Sequence, residues 1–313
     1  MWFKTIFRRK NDENEARNKS IFDEHFLRRL ERMSLQTQRS LRGHPSGVHR
    51  SMQRLSSTIF SDHRPYTSGD DLRYIDWNAY ARHNSMVVKL GEAEQDVDVH
   101  LLLDTSRSME WGSPTKFHVM QQLAGTLGYL SLTHGDRVLV VPFGERPVRP
   151  FGPTQGKGRL VEMLRYIEEM VVQPHTNIGE VFQRHAKHFR RGGVLVLCSD
   201  LLTAEGLDAG LHALPPPKWQ VLVLHIIDLR EIEPKTEPST SGPIELRDSE
   251  TGQRLALTLD EPTLSAYRKH MFEWQEELAS ICAKRGARYA RIMTDWPLEK
   301  KIIPYLRSRQ ILQ

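Results

Sequence analysis

Apolar residues along the chain follow two regimes that change near residue 96. Before it, Phe22, Phe26, Leu30 and Met33 recur at helical spacing and predict one amphipathic helix in need of a surface to pack on. The segment Gly43-His44-Pro45-Ser46-Gly47 ends that helix, and a polar, Arg-rich stretch runs on to Arg82. After residue 96, short apolar runs alternate with helical patterns. Residues 97–103 read as a buried strand, 115–133 place Phe117, Met120, Ala124 and Leu127 on one helical face, and 136–143 read as a second strand. Ile178, Val181, Phe182, His185, Ala186 and Phe189 then mark a helix, and two further apolar strands follow over 193–199 and 219–227. Leu264, Tyr267, Met271, Trp274, Leu278, Ile281 and Cys282 define a long helix, before a strand over 288–293 and a closing helix over 298–307.

Strand and helix in alternation predict a three-layer α/β/α, Rossmann-like domain with a mostly parallel central sheet over 96–313. An N-terminal extension precedes it: a basic arm and helix over 1–42, then a separate segment over 43–95. Between the strand ending near 227 and the long helix, Ile244-Glu245-Leu246 and residues 255–259 flank the turn-forming run 248–252, which reads as a hairpin insertion near 243–260.

Charge is distributed unevenly. The pI is near 9.2, but residues 1–50 hold 12 Lys/Arg against 6 Asp/Glu while the remaining 263 hold 32 against 33. The basicity therefore belongs to the arm, and a nucleic-acid face on the body is disfavoured. A hydrophobic fraction of 39% excludes wholesale disorder. Cys198 and Cys282 form no CxxC pair, no run approaches the roughly 18 apolar residues of a membrane span, and the first residues lack the pattern of a signal peptide. A cytoplasmic, reducing setting is expected.

Open α/β sheets bind ligands beyond the carboxyl ends of their strands, so polar residues left there are the ones to question. Asp104 ends the first buried strand and opens Asp104-Thr105-Ser106-Arg107-Ser108, in which residues two apart point the same way in an extended turn. One carboxylate and two hydroxyls make a hard oxygen set suited to Mg²⁺. Asp200, at the end of another strand, would add a second carboxylate, and Thr176, in the loop before a helix, a third hydroxyl. The alternative reading of Asp-x-Ser-x-Ser is a helix cap.

These five residues resemble the metal-ion-dependent adhesion site of von Willebrand factor A domains: Asp104, Ser106 and Ser108 as Asp-x-Ser-x-Ser, Thr176 within Thr-Asn-Ile-Gly, and Asp200 within Cys-Ser-Asp. A second resemblance is to the bacterial family called domain of unknown function 58. It rests on Arg64-Pro65-Tyr66, Gly69-Asp70-Asp71, Arg73-Tyr74-Ile75-Asp76-Trp77 and Ala81-Arg82, and on Asp248-x-x-Thr251-Gly252 and Thr294-Asp295. The resemblance spans residues 43–310. It implies a non-enzymatic, Mg²⁺-dependent protein-binding module, often working beside a MoxR-type AAA+ ATPase in the assembly of other proteins, with a partner's carboxylate completing the metal shell. Arg64, Arg73 and Arg82 beside Asp70, Asp71 and Asp76 read either as a buried ion-pair network or as an exposed partner face, with Tyr66 and Trp77 as apolar anchors.

Other signals are weaker. Gly152-Pro153-Thr154-Gln155-Gly156-Lys157-Gly158 lacks the spacing of a phosphate loop and reads as a helix entry. His185 and His188 lack a second pair at zinc spacing. No serine sits in a GxSxG elbow. Metal-assisted phosphoester hydrolysis through Asp104 and Asp200 is the enzymatic alternative. A third reading has the arm, with Arg8-Arg9-Lys10 and Arg28-Arg29, touching nucleic acid or an acidic membrane surface.

Overall fold

A computed structural model describes residues 21–23, 26–31, 60–67, 72, 75–91, 97–174, 178–202, 206–234, 243–247, 254–258 and 260–309. They belong to two compact units, Arg39–Asp96 and the remainder, Met1–Gln38 with Val97–Gln313.

The smaller unit pairs β1 (Phe60–Pro65) with β2 (Val87–Gly91) in antiparallel fashion around α1 (Trp77–His83). β1 is not legible in its polar composition, and β2 carries only the short apolar run Val87-Val88-Lys89-Leu90. Asp76 caps α1, its carboxylate accepting from the backbone N–H groups of Asn78 and Ala79 at 3.0 and 3.1 Å. Ile75 and Val88 are buried, Tyr66 is half-buried, and Arg82 is exposed. Trp77, 56% exposed, meets Tyr80 edge-on. Asp70, Asp71, Arg73 and the Arg64 side chain lie outside what the structure describes. Among the described members of the Arg/Asp signature, Asp76 caps α1 and Arg82 is exposed.

The larger unit runs β3 (Asp98–Asp104), α2 (Lys116–His134), β4 (Arg137–Phe143), β5 (Phe151–Gln155), α3 (Leu160–Glu168), α4 (Ile178–His188), β6 (Gly193–Ser199), α5 (Leu207–His212), β7 (Trp219–Ile227), α6 (Leu229–Ile232), the hairpin β8 (Pro243–Arg247) and β9 (Arg254–Thr258), α7 (Glu261–Lys284), β10 (Arg288–Met293) and α8 (Ile303–Ser308). Six strands make one sheet in the order β10-β7-β6-β3-β4-β5. All neighbours are parallel except β4 and β5. The expected three-layer architecture is therefore present, with the hairpin as a separate two-stranded addition.

β5 corrects the first half of the reading of residues 152–158 as a helix entry: 152–155 belong to an edge strand, which tolerates Gly152 and Pro153 because one side needs no ladder bond, while Gly156-Lys157-Gly158 lead into α3 as expected. Helix α2 also departs from expectation. It is buried on nearly every side, not along one stripe, with Val119, Leu123 and Gly125 as enclosed as Met120, Ala124 and Leu127. The cover on its far side is the N-terminal helix, whose Phe22, Phe26 and Leu30 join one core with α2 and α3. Gly125 lets α2 and the N-terminal helix approach, since a Cβ there would displace the Phe22 ring. Met33 lies outside the described residues.

A second core fills the opposite face of the sheet, between Leu102, Leu195, Leu197 and Val223 and helices α4, α5 and α7. Here His100 of β3 meets His185 of α4, ring nitrogens 3.0 Å apart, beside Phe189 and Trp219. Burial holds His100 near pKa 4 and His185 near 3. Both are neutral when folded but take up protons near pH 6.5 when unfolded, so they add no penalty above that pH and an increasing one below it. Between pH 6 and 4, denaturant titrations of wild type are expected to lose stability more steeply than His100→Phe/His185→Leu, by up to about 2.7 kcal/mol per pH unit for two protons. Parallel curves would show that the pair is not held neutral.

Candidate functional site

The chain leaves β3 for β4 on one side and later returns to β6 on the other, so the crevice at the carboxyl ends of β3 and β6 is where the strand order reverses. Asp104 ends β3, and Ser199 and Asp200 end β6, with Leu103 and Cys198 in register just before them. The apolar runs of both strands are buried on both faces, which carries these polar residues to the crevice and buries them there as well.

Each oxygen of the Asp104 carboxylate accepts a hydrogen bond: Oδ1 from the Ser106 backbone N–H at 2.9 Å, Oδ2 from the Ser199 hydroxyl at 2.5 Å. The first closes a tight turn that brings the Ser106 and Ser108 hydroxyls within 3.0 Å of each other. Neither serine caps a helix. Ser106 makes no side-chain cap bond to the short 3₁₀ turn Arg107–Glu110, and α2 is capped by Thr115. Burial and the neighbouring Asp200 charge push the Asp104 carboxyl up to about 7.

Lys116, at the first turn of α2, is fully buried and donates to Asp200 Oδ2 at 2.7 Å and to Glu231 Oε1 at 2.5 Å. Glu231 also closes a capping box by accepting from the Asp228 N–H, while Asp228 accepts from Arg230 and Thr294. Neither Lys116 nor Glu231 was flagged by the sequence, where a lysine opening a helix looks like any solvated one. The only available signal was the placement of Asp228 at the end of the β7 strand.

Thr176 lies outside the described residues, but its flanks are fixed. The Gln173 N–H donates to the Thr105 carbonyl, and Ser106 bridges Gln173. On the other side, Gly179 packs against Gly206, where a Cβ would come within 3.0 Å of the Gly206 Cα. The structure thus joins Asp104, Ser106 and Ser108 in one cluster, reaches Asp200 through the neighbouring Ser199, which donates to Asp104, and links Asp200 through Lys116 to Glu231.

The donor set fits a small divalent cation. Adjacent ligands of an octahedral Mg²⁺ at roughly 2.1 Å stand about 3.0 Å apart, the separation of the two hydroxyls. Asp104, Asp200 and Glu231 outnumber the single ammonium of Lys116 here, an excess of acidic groups that a cation would balance. Among the described residues no three His, Cys, Asp or Glu side chains converge on one point, so any cation here depends on hydroxyl donors.

Residues 62–277 match the model of the family described as protein of unknown function DUF58. The chain belongs to the DUF58 family. Relatives include the uncharacterized proteins Mb1516 of Mycobacterium bovis and Rv1480 of Mycobacterium tuberculosis, each 23% identical over 252 residues that cover 79% of this chain and 78% of theirs. Among solved structures, the RO (RSR) protein of Deinococcus radiodurans aligns with 57% of this chain at 15% identity and a TM-score of 0.28. That alignment takes in 36% of the Deinococcus chain. The match to DUF58 spans both units, so the signature segment and the crevice occur together in the family pattern. No helix among the described residues is long and apolar enough to cross a membrane.

Proposed function

We propose that this DUF58 protein is a metal-dependent protein-binding module of von Willebrand factor A type, not an enzyme. The observation that carries the reading is the Asp104-Ser106-Ser108 cluster at the strand-order reversal, with Asp200 on the adjoining strand. Asp104, Ser106 and Ser108, with Thr176 and Asp200, would hold Mg²⁺, which when bound supplies an electrophilic point for a carboxylate oxygen from a partner. The chain's own residues prepare that point. Ser199 and the Ser106 N–H orient the Asp104 carboxylate, while Lys116 holds Asp200 in place.

Large apolar side chains surround the crevice: Trp111 beyond Ser108, Leu202 beyond Asp200 and Leu229 beyond Asp228 are 55%, 50% and 42% exposed. A polar centre ringed by exposed apolar groups suits a protein partner better than a small solute. The partner we propose is a MoxR-type AAA+ ATPase, in the cytoplasm, with the module presenting client proteins to it.

Calorimetric titration of Mg²⁺ into chelator-treated protein tests the centre. Ser106→Ala is expected to weaken Mg²⁺ at least tenfold and to weaken capture of a co-expressed MoxR-type ATPase in parallel. Unchanged Mg²⁺ affinity in Ser106→Ala and Ser108→Ala alike would remove the basis of the proposal.

A further inference from the structure

Beside the crevice, between the carboxyl end of β7 and the first half of α7, lies a cleft of ≈ 140 Å³ lined by Asp200, Leu202, His225, Ile227, Glu231, Tyr267, Met271 and Trp274. Nothing in the metal reading uses its outer wall. Tyr267 stands at the mouth, 40% exposed, its hydroxyl donating to the Glu231 carbonyl at 2.7 Å. Trp274 is set edge-on to His225 at 5.2 Å. Leu202, Ile227 and Met271 supply apolar sides.

Among the described residues, the lining holds two carboxylates and no cation. His225 hydrogen-bonds the Asp200 backbone and Tyr289, and burial keeps it neutral, near pKa 3. Lys116 lies behind the carboxylates and takes one oxygen of each, Asp200 Oδ2 and Glu231 Oε1. The remaining oxygens accept, among the described residues, the Leu202 and Asp228 backbone N–H groups. A carboxylate offers about four acceptor positions, so both keep capacity for another donor, and two anions against one ammonium leave the wall negative.

We propose that this cleft receives a lysine side chain of the partner, its methylene stem against Leu202, Ile227 and Met271 and its ammonium between the aromatic rings and the Glu231 and Asp200 carboxylates. An apolar channel ending in negative charge suits an alkylammonium: the stem is desolvated favourably and the head meets both π faces and carboxylates. A purely apolar side chain would displace water from the carboxylates' remaining acceptor positions without replacing its hydrogen bonds, and an anion would be repelled. Together with a carboxylate bound at the neighbouring metal, the cleft would select a partner segment bearing an acidic and a basic residue close together.

The test uses the full chain, with the Trp274 indole N–H resonance as reporter and n-butylammonium chloride, n-butanol and sodium butyrate as probes. Each is titrated with Mg²⁺ present and again with chelator. A saturable shift with n-butylammonium, midpoint on the order of millimolar, is expected in both conditions, so failure of the metal reading would not affect the outcome. Tyr267→Leu, which removes the bond to the Glu231 carbonyl but none of the side-chain bonds among Lys116, Asp200 and Glu231, is expected to weaken the amine at least threefold, and Glu231→Gln to weaken it further. Butanol or butyrate shifting the resonance as effectively as the amine would overturn the proposal, as would no saturable response in wild type.

Discussion

Replacing Lys116 by methionine is expected to cost the fold about 3–5 kcal/mol, the usual penalty for removing one partner of a buried ion pair. Lys116 is fully buried and is the only cation bonded to both Asp200 and Glu231 among the described contacts. Its loss leaves two carboxylates facing each other with little water to screen them. The stem is not at issue, because methionine fills nearly the same volume. Denaturant unfolding of Lys116→Met and of the triple variant Lys116→Met/Asp200→Asn/Glu231→Gln separates charge from packing. The triple variant is expected to recover most of the loss, since neutral amides need no counter-ion. Equal losses in both would assign the effect to packing.

The second large effect is expected at Asp104, with opposite signs for stability and binding. In chelator, Asp104→Asn should be at least as stable as wild type, because it removes a desolvated carboxylate that Asp200 repels. The amide can keep the Ser106 N–H bond through its oxygen, and the Ser199 hydroxyl can rotate to accept from its nitrogen. The pH dependence carries a definite sign. A carboxyl raised from 3.8 to about 7 favours the fold most when protonated, so its contribution is full below pH 3.8 and is lost as pH rises through 7. Metal-free wild type should therefore lose stability relative to Asp104→Asn across that window. Adding Mg²⁺ at a hundredfold excess over its dissociation constant should stabilise wild type by about 2.7 kcal/mol and leave the variant unmoved. Melting curves of both proteins over pH 5 to 8, with Mg²⁺ and with chelator, measure all of this; a variant that still responds to Mg²⁺ would place the cation elsewhere.

Much of the scaffold was legible from periodicity alone. The strands over 193–199, 219–227 and 288–293 and the helix from Ile178 are formed where the apolar spacing puts them, because a strand buried on both faces needs an uninterrupted apolar run and a covering helix a stripe. The placement of Asp104 and Asp200 followed from the same runs: a polar residue directly after a buried strand must stand at the sheet's edge. β1, β2 and β5 were missed for the converse reason. β1 is mostly polar and β5 includes Gly152 and Pro153, which an edge strand tolerates, while the apolar run of β2, Val87-Val88-Lys89-Leu90, is too short to stand out before Gly91.

What the sequence by itself determined, then, is the alternation of elements and the short-range chemistry of Asp104-Thr105-Ser106-Arg107-Ser108, whose turn is closed by a bond between residues two apart. Tertiary structure alone decided that Phe22, Phe26 and Leu30 cover α2, that Lys116 reaches Asp200 and Glu231 across 84 and 115 residues of chain, and that α7 walls a cleft beside them. The reason is the range of the forces involved. Hydrophobic periodicity and turn hydrogen bonds are written in neighbouring residues, whereas a buried lysine looks like a solvated one until the strand order sets two distant carboxylates around it.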